Sequence, residues 1–177
     1  MIVSKRHKKL IIADKHPRRI TTVIPTAKIF LWKGRELVAV PHGLEEVKVL
    51  RNMGFNAPSP IEHYYDWSGK YKPFAHQLVT SSFLTLNNRG FVLNEMGTGK
   101  TLSLLWSIDY MIAQGLLGKL LIVSPLSTLD GVWGDEIFKH FPHLNFVVLH
   151  GSADRRRKLL KQPADIYIIN HDGLKVL

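Results

Sequence analysis

Eight consecutive residues, Asn94-Glu95-Met96-Gly97-Thr98-Gly99-Lys100-Thr101, combine the groups that grip a polyphosphate. Gly97 and Gly99 let the backbone curl, so that successive N–H groups converge where a side chain would block the approach. Lys100 brings a mobile cation suited to β- and γ-phosphates, and Thr101 offers a hydroxyl to the Mg²⁺ that accompanies them. The apolar run Gly90-Phe91-Val92-Leu93-Asn94 precedes this loop and a helical pattern from about Lys100 to Gln114 follows it. That strand–loop–helix order is the context such chemistry requires, because the helix start adds its positive dipole end. Met96, Gly97, Thr98, Gly99, Lys100 and Thr101 are therefore the candidate nucleotide-binding set, with Lys100 and Thr101 as its catalytic pair. Asn94 stands where the full phosphate-loop pattern has glycine. The competing reading is a glycine turn with an incidental lysine.

The elements around the loop alternate. A helix is expected from Pro73 to about Leu86, the strand at 90–94, and a second buried strand over Lys119–Val123 that Ser124-Pro125 ends. A helix through Phe138, a strand Phe146–Leu149, a helix Ala153–Leu160 and a strand Asp165–Asn170 complete the series. Near-continuous apolar strands alternating with helices point to a parallel sheet covered on both faces. Residues 10–40 instead read as β-structure: Leu10–Ala13, then Ala27–Trp32 and Glu36–Val40 around the turn Lys33-Gly34-Arg35. Gly43–Met53 has apolar residues at helical spacing and Gly54 as a stop. The Pro- and aromatic-rich stretch up to Pro73 reads as a linker strapped to a surface. The expectation is a small α+β accessory domain over 1–70 and a nucleotide-binding lobe over 71–177.

Composition narrows the function. The 177 residues are 45% hydrophobic and 21% charged, which excludes a wholly disordered chain. No apolar run approaches the roughly 18 residues needed to cross a bilayer, the start lacks a secretory signal, and there is no cysteine for a disulfide or thiol nucleophile. A cytoplasmic protein is expected, or a nuclear one in a eukaryote, with no membrane partner. The net charge is +10, and residues 1–20 (seven basic, one acidic) and 151–161 (five basic, one acidic) account for all of it. Concentrated positive charge suits a polyanion, although a frayed terminus and a solvated helix face give the same arithmetic. The nine histidines are scattered and read as structural. Of the aromatic cluster Tyr64, Tyr65, Trp67 and Tyr71, Tyr71 is the one placed to stack on a base, with packing the simpler role.

Several ordered motifs resemble the Swi/Snf branch of the superfamily-two helicases over about residues 71–174. Lys72-Pro73-Phe74-Ala75-His76-Gln77 is similar to the family's adenine-reading motif, in which Gln77 would pair with the adenine edge. Asn94–Thr101 is similar to its acidic-Met-Gly phosphate loop, with Asn for Asp. Leu121-Ile122-Val123-Ser124-Pro125-Leu126-Ser127, followed by Trp133, Glu136 and Phe138, is similar to its next motif. His150-Gly151-Ser152 with Arg155 and Arg156 resembles the strand end ahead of a basic helix, and Ile168-Ile169-Asn170-His171-Asp172-Gly173-Leu174 the motif after it. Without the family, Trp133 reads as a core residue.

The resemblance implies a recombinase-like α/β lobe with ATP and Mg²⁺ as cofactors and double-stranded DNA as partner. Ser124, Pro125, Leu126, Ser127, Arg155, Arg156, Asn170 and His171 would face the nucleic acid. The sequence stops before the family's Asp-Glu motif and before its second lobe, so a truncated lobe with negligible hydrolysis of its own is expected. In the intact protein that lobe would couple ATP hydrolysis to movement on the duplex. The alternative function is a non-catalytic binding module made from the same lobe.

Overall fold

The computed structural model describes residues 1–67 and 69–176 and shows two compact units. The first comprises residues 1–65 and 82–91, the second residues 66–81 and 92–177.

In the first unit, β1 (Ile2–Ser4), β2 (Lys9–Ile12), β3 (Lys28–Trp32) and β4 (Arg35–Pro41) form an antiparallel sheet in the order β1-β2-β4-β3. The β3–β4 hairpin turns through Lys33 (φ 50°) and Gly34 (φ 74°), two successive left-handed residues whose twist matches the strands they join. The pairs Leu10↔Val40 and Ile12↔Val38 place four buried side chains on one face. Ile20 of α1 (Pro17–Val23), the stripe Leu44, Val47 and Leu50 of α2 (Leu44–Asn52), and Ile61 of α3 (Ile61–Tyr64) are buried too and complete this unit's core. Glu45 and Glu46 open α2 and Arg51 closes it, each charge matched to the helix dipole. Gly54 (φ 89°) then ends it, with the Phe55 N–H returning to the Leu50 carbonyl. Both α1 and β1 escape the sequence reading, being short and without caps of their own.

In the second unit, β5 (Leu120–Val123), β6 (Phe146–Leu149) and β7 (Ile166–Ile169) form a parallel sheet with β7 in the middle. All four β7 residues are buried, as a strand with neighbours on both sides and cover on both faces requires. The helices are the first part of α4 (Ala75–Leu86), α5 (Lys100–Ala113), α6 (Asp135–His140) and α7 (Ala153–Leu160). Trp106 of α5, Ile137 of α6 and Phe141 are fully buried, and Trp67 meets Trp106 edge to face at 5.6 Å.

Two expectations change. Residues 90–94, expected as a strand, form none, and Phe91 and Leu93 are each 89% exposed. A strand exists through its ladder, and this segment has no ladder partner among the described residues. The expected single helix up to Phe138 is three pieces: a 3₁₀ turn Leu126–Thr128, a π-helix Leu129–Gly134, and α6. Gly131 and Gly134 loosen this stretch, which suits the wider π geometry. Helix α4 begins at Ala75, two residues after the expected Pro73.

Candidate functional site

Gly97 (φ 79°) and Gly99 (φ 72°) both adopt the left-handed conformation, and Gly99 is the N-cap of α5. Gly99 provides no side-chain cap, so the N–H groups of the first turn are left for another acceptor. The Lys100 ammonium folds back onto its own loop, donating to the Asn94 carbonyl at 2.8 Å and the Glu95 carbonyl at 2.7 Å. Thr98 Oγ1 donates to the same Glu95 carbonyl at 2.8 Å. These bonds curl the loop into a cup before any ligand arrives. Gly97, Gly99, Lys100, Thr101, Leu102, Val132 and Glu136 line a cavity of about 300 Å³ there. The Thr101 hydroxyl is engaged by no other residue among those described.

Behind the cup, hydroxyl bonds tie α4 to α5. Ser81 Oγ donates to the Ser103 carbonyl at 2.9 Å, and Ser107 Oγ donates to the Ser103 carbonyl at 2.7 Å and the Ser81 carbonyl at 3.2 Å. Asn94 Nδ2 donates to Thr80 Oγ1 at 3.2 Å, a bond that the expected glycine could not make.

Gln77 lies beside the loop, 6% exposed. Its Oε1 accepts from the Phe74 N–H at 2.9 Å and its Nε2 donates to the Thr98 carbonyl at 3.4 Å. Gln77 thus acts as the glutamine of a capping box on α4, and both ends of its amide are occupied within the protein. His76 Nε2 also reaches the Thr98 carbonyl, at 3.0 Å. Tyr71, weighed as a base-stacking residue, packs on His140 with ring centroids 5.4 Å apart.

Met96 projects from the cup almost fully exposed. Val132 of the π-helix and Glu136 of α6, four residues apart, bring the remaining wall of the cavity. The Lys70 N–H donates to His140 Nδ1 at 3.1 Å, so the ring's proton sits on Nε2, which faces Glu136 Oε2 at 3.6 Å. The sequence places Glu136 only within the motif that begins at Leu121. An acidic residue on an amphipathic helix carries no sign of what it will face.

The β5, β6 and β7 carboxyl ends lie at one end of the parallel sheet, gathering the expected nucleic-acid residues there. Pro125, Leu126 and Ser127 are exposed. Ser124 is not: its Oγ lies 2.6 Å from Thr128 Oγ1 and accepts from Trp133 Nε1 at 3.0 Å. Arg155 and His171 are exposed. Asn170 is buried, and both Asn170 Oδ1 and Arg156 Nε are enclosed without a hydrogen-bond partner. They converge on Gly173, where a Cβ would press on the Arg156 guanidinium and lie 2.9 Å from Asn170 Oδ1. Orphaned buried polar groups cost free energy, which is a reason to look for a ligand beside them.

A glycine-nested helix start beside a parallel sheet defines the class, an α/β lobe. Residues 6–175 match the SNF2-related domain, and the chain belongs to that family. It is 38% identical over 97 residues to the ISWI chromatin-remodeling complex ATPase ISW2 of Saccharomyces cerevisiae, which covers 53% of this chain and 9% of that protein. It is 33% identical over 73 residues to the ATP-dependent DNA helicase DDM1 of Arabidopsis thaliana, covering 41% of this chain and 9% of the relative. The solved Sulfolobus solfataricus SWI2/SNF2 ATPase core in complex with dsDNA matches with TM-score 0.53 and 28% identity, over 60% of this chain and 23% of that one. The fold is therefore that of a Swi/Snf-type superfamily-two ATPase lobe, preceded by a small antiparallel sheet. The chain spans about 9% of the length of these curated relatives. Among the described residues, no helix is long and apolar enough to cross a membrane.

Proposed function

We propose that this chain supplies the ATP pocket and one face of the DNA track of a Swi/Snf-like translocase, with residues 1–70 as an accessory domain. The observation that carries the reading is the cup at the α5 N-terminus, with its two left-handed glycines, uncapped N–H groups and converging ammonium. These residues fit a Mg²⁺-bound triphosphate. Lys100 would exchange its two loop carbonyls for phosphate oxygens, Thr101 Oγ1 would hold the metal, and the Gly97–Gly99 amides would cradle the tail. When bound, the nucleotide supplies the phosphoanhydride bond whose cleavage drives movement.

Gln77 would read adenine by exchanging its capping bonds for the base edge, an exchange that links base recognition to the start of α4. Pro125–Ser127, Arg155, Arg156, Asn170 and His171 would contact the backbone of double-stranded DNA, a sequence-blind contact. Ser124 would act from behind by fixing the turn. Family membership, the fold and the dsDNA-complexed structural neighbour support this reading. A second lobe would supply the charges that complete phosphoryl transfer, so this chain alone binds nucleotide and turns it over negligibly. The test is ATP hydrolysis by the full-length protein with and without duplex DNA. Stimulation by the duplex that Lys100→Ala abolishes is the expected result; hydrolysis indifferent to that substitution would refute it.

A further inference from the structure

The outward face of the antiparallel sheet departs from what a half-exposed sheet normally carries. Such sheets present polar residues to solvent. Here Ile2, Ile11, Leu37, Phe30 and Trp32 line a groove of about 210 Å³ that crosses all four strands. The register Ile2↔Ile11, Phe30↔Leu37 and Trp32↔Arg35 puts them on the side opposite the buried Leu10, Ile12, Val38 and Val40. Ile2 is 70% exposed and Trp32 55%.

The charges on this face have one sign. Lys9, Lys28 and Arg35 share its strand parity, whereas Glu36, the one acidic residue in these four strands, pairs with Leu31 on the other side. Lys33 Nζ stands 4.7 Å from the Trp32 ring centroid. The unit as a whole carries thirteen Lys and Arg against five Asp and Glu, a net +8.

We propose that this face binds single-stranded nucleic acid, stacking bases on Trp32 and Phe30 while Lys9, Lys28, Lys33 and Arg35 take the phosphates. Flat rings offered beside cations alone match a chain of bases joined by anions. Trp32 and Phe30 are two residues apart on one strand, about 6.8 Å. That is twice the roughly 3.4 Å rise of a nucleotide in a duplex, so the rings seat successive bases of an unstacked strand. Paired bases hide their faces, so a duplex has nothing to lay on these rings. The inference is independent of the ATP pocket and adds a second, differently built nucleic-acid contact.

The test titrates a fluorescein-labelled fifteen-nucleotide oligothymidylate into the whole chain across a range of salt, with folding checked by circular dichroism. Trp32→Ala is expected to weaken binding by about five- to a hundred-fold. Trp32→Phe retains most of the affinity, and Leu31→Ala, on the same strand but facing the other way, leaves it unchanged. The double variant Lys9→Gln, Lys28→Gln lowers the slope of log affinity against log salt by about 1.4. Binding of a fluorescent ATP analogue by the same samples stays at the wild-type level, which separates this proposal from the pocket. Undetectable binding, binding indifferent to Trp32→Ala, or a Trp32-dependent dimer seen in sedimentation in place of oligonucleotide binding would overturn it.

Discussion

Gly99 is the residue on which the pocket geometry turns. Its φ of 72° is costly for any side chain, and a Cβ there would run into the Gln77 amide nitrogen. Gly99→Ala must therefore shift the loop, the Gln77 side chain or both. The expected result is a loss of nucleotide affinity of tenfold or more, with the melting temperature lowered by only a few degrees, because the strain is local. Gly97 also has a positive φ but open space around its Cβ position, so Gly97→Ala suffers the backbone strain without the collision and should be the milder change. The curl of this loop was legible because Gly97 and Gly99 are the residues that take up left-handed backbone without strain. The engagement of Gln77 was not. A capping box is recognised from a Ser, Thr, Asp or Asn at the N-cap, and Phe74 stands there.

At the scale of elements, burial explains both what was legible and what was not. The strands β2 to β7 follow apolar runs and turn signals closely, since each must bury at least one face. The 90–94 segment carries the same pattern yet forms no strand, because a pattern states what a segment can bury and not whether a neighbour is present. The π-helix gave no periodic signal, and Gly131 and Gly134 show only that the stretch is loosened. Elements of the first unit also set its acid sensitivity. His42, at the end of β4, donates from Nε2 to the Pro58 carbonyl at 2.9 Å and accepts at Nδ1 from the Tyr64 hydroxyl at 2.8 Å. Its ring centroid is 5.4 Å from that of His63, whose Nε2 is buried without a partner.

Burial first, and then repulsion by His63 for His42 and by Lys5 for His63, hold both histidines below the ordinary value of about 6.5. The folded state therefore binds fewer protons than the unfolded chain just below that pH. Stability should be fully present above about pH 6.5 and fall as acid is added toward the folded-state values. Thermal unfolding at pH 7.5 and 5.5 checks this, and the double variant His42→Gln, His63→Gln should flatten the difference. A melting temperature that rises on acidification in the wild type would contradict it.

At the scale of the molecule, charge is divided unevenly. The first unit holds +8 of the net +10 and leaves +2 for the second, although the second carries the basic helix α7. Duplex DNA binding through α7 should weaken with salt by a slope of about −0.9 per phosphate contact, and Arg155→Gln should reduce that slope by about one contact. An unchanged slope would mark α7 as a solvated face. The family was legible in the sequence because five short motifs occur in order, while the basic patches alone left a polyanion and a solvated surface equally possible.

Calorimetric titration with ATP, ADP, AMP and adenosine in the presence of Mg²⁺ tests most directly whether the Gly97–Thr101 cup binds the phosphate tail of a nucleotide. Affinity should rise sharply once a β-phosphate is present, and Lys100→Ala should remove that increment, at least tenfold, while leaving the weak adenosine interaction alone. Equal affinity for adenosine and ATP, or a Lys100→Ala variant that binds ATP as the wild type does, would contradict it.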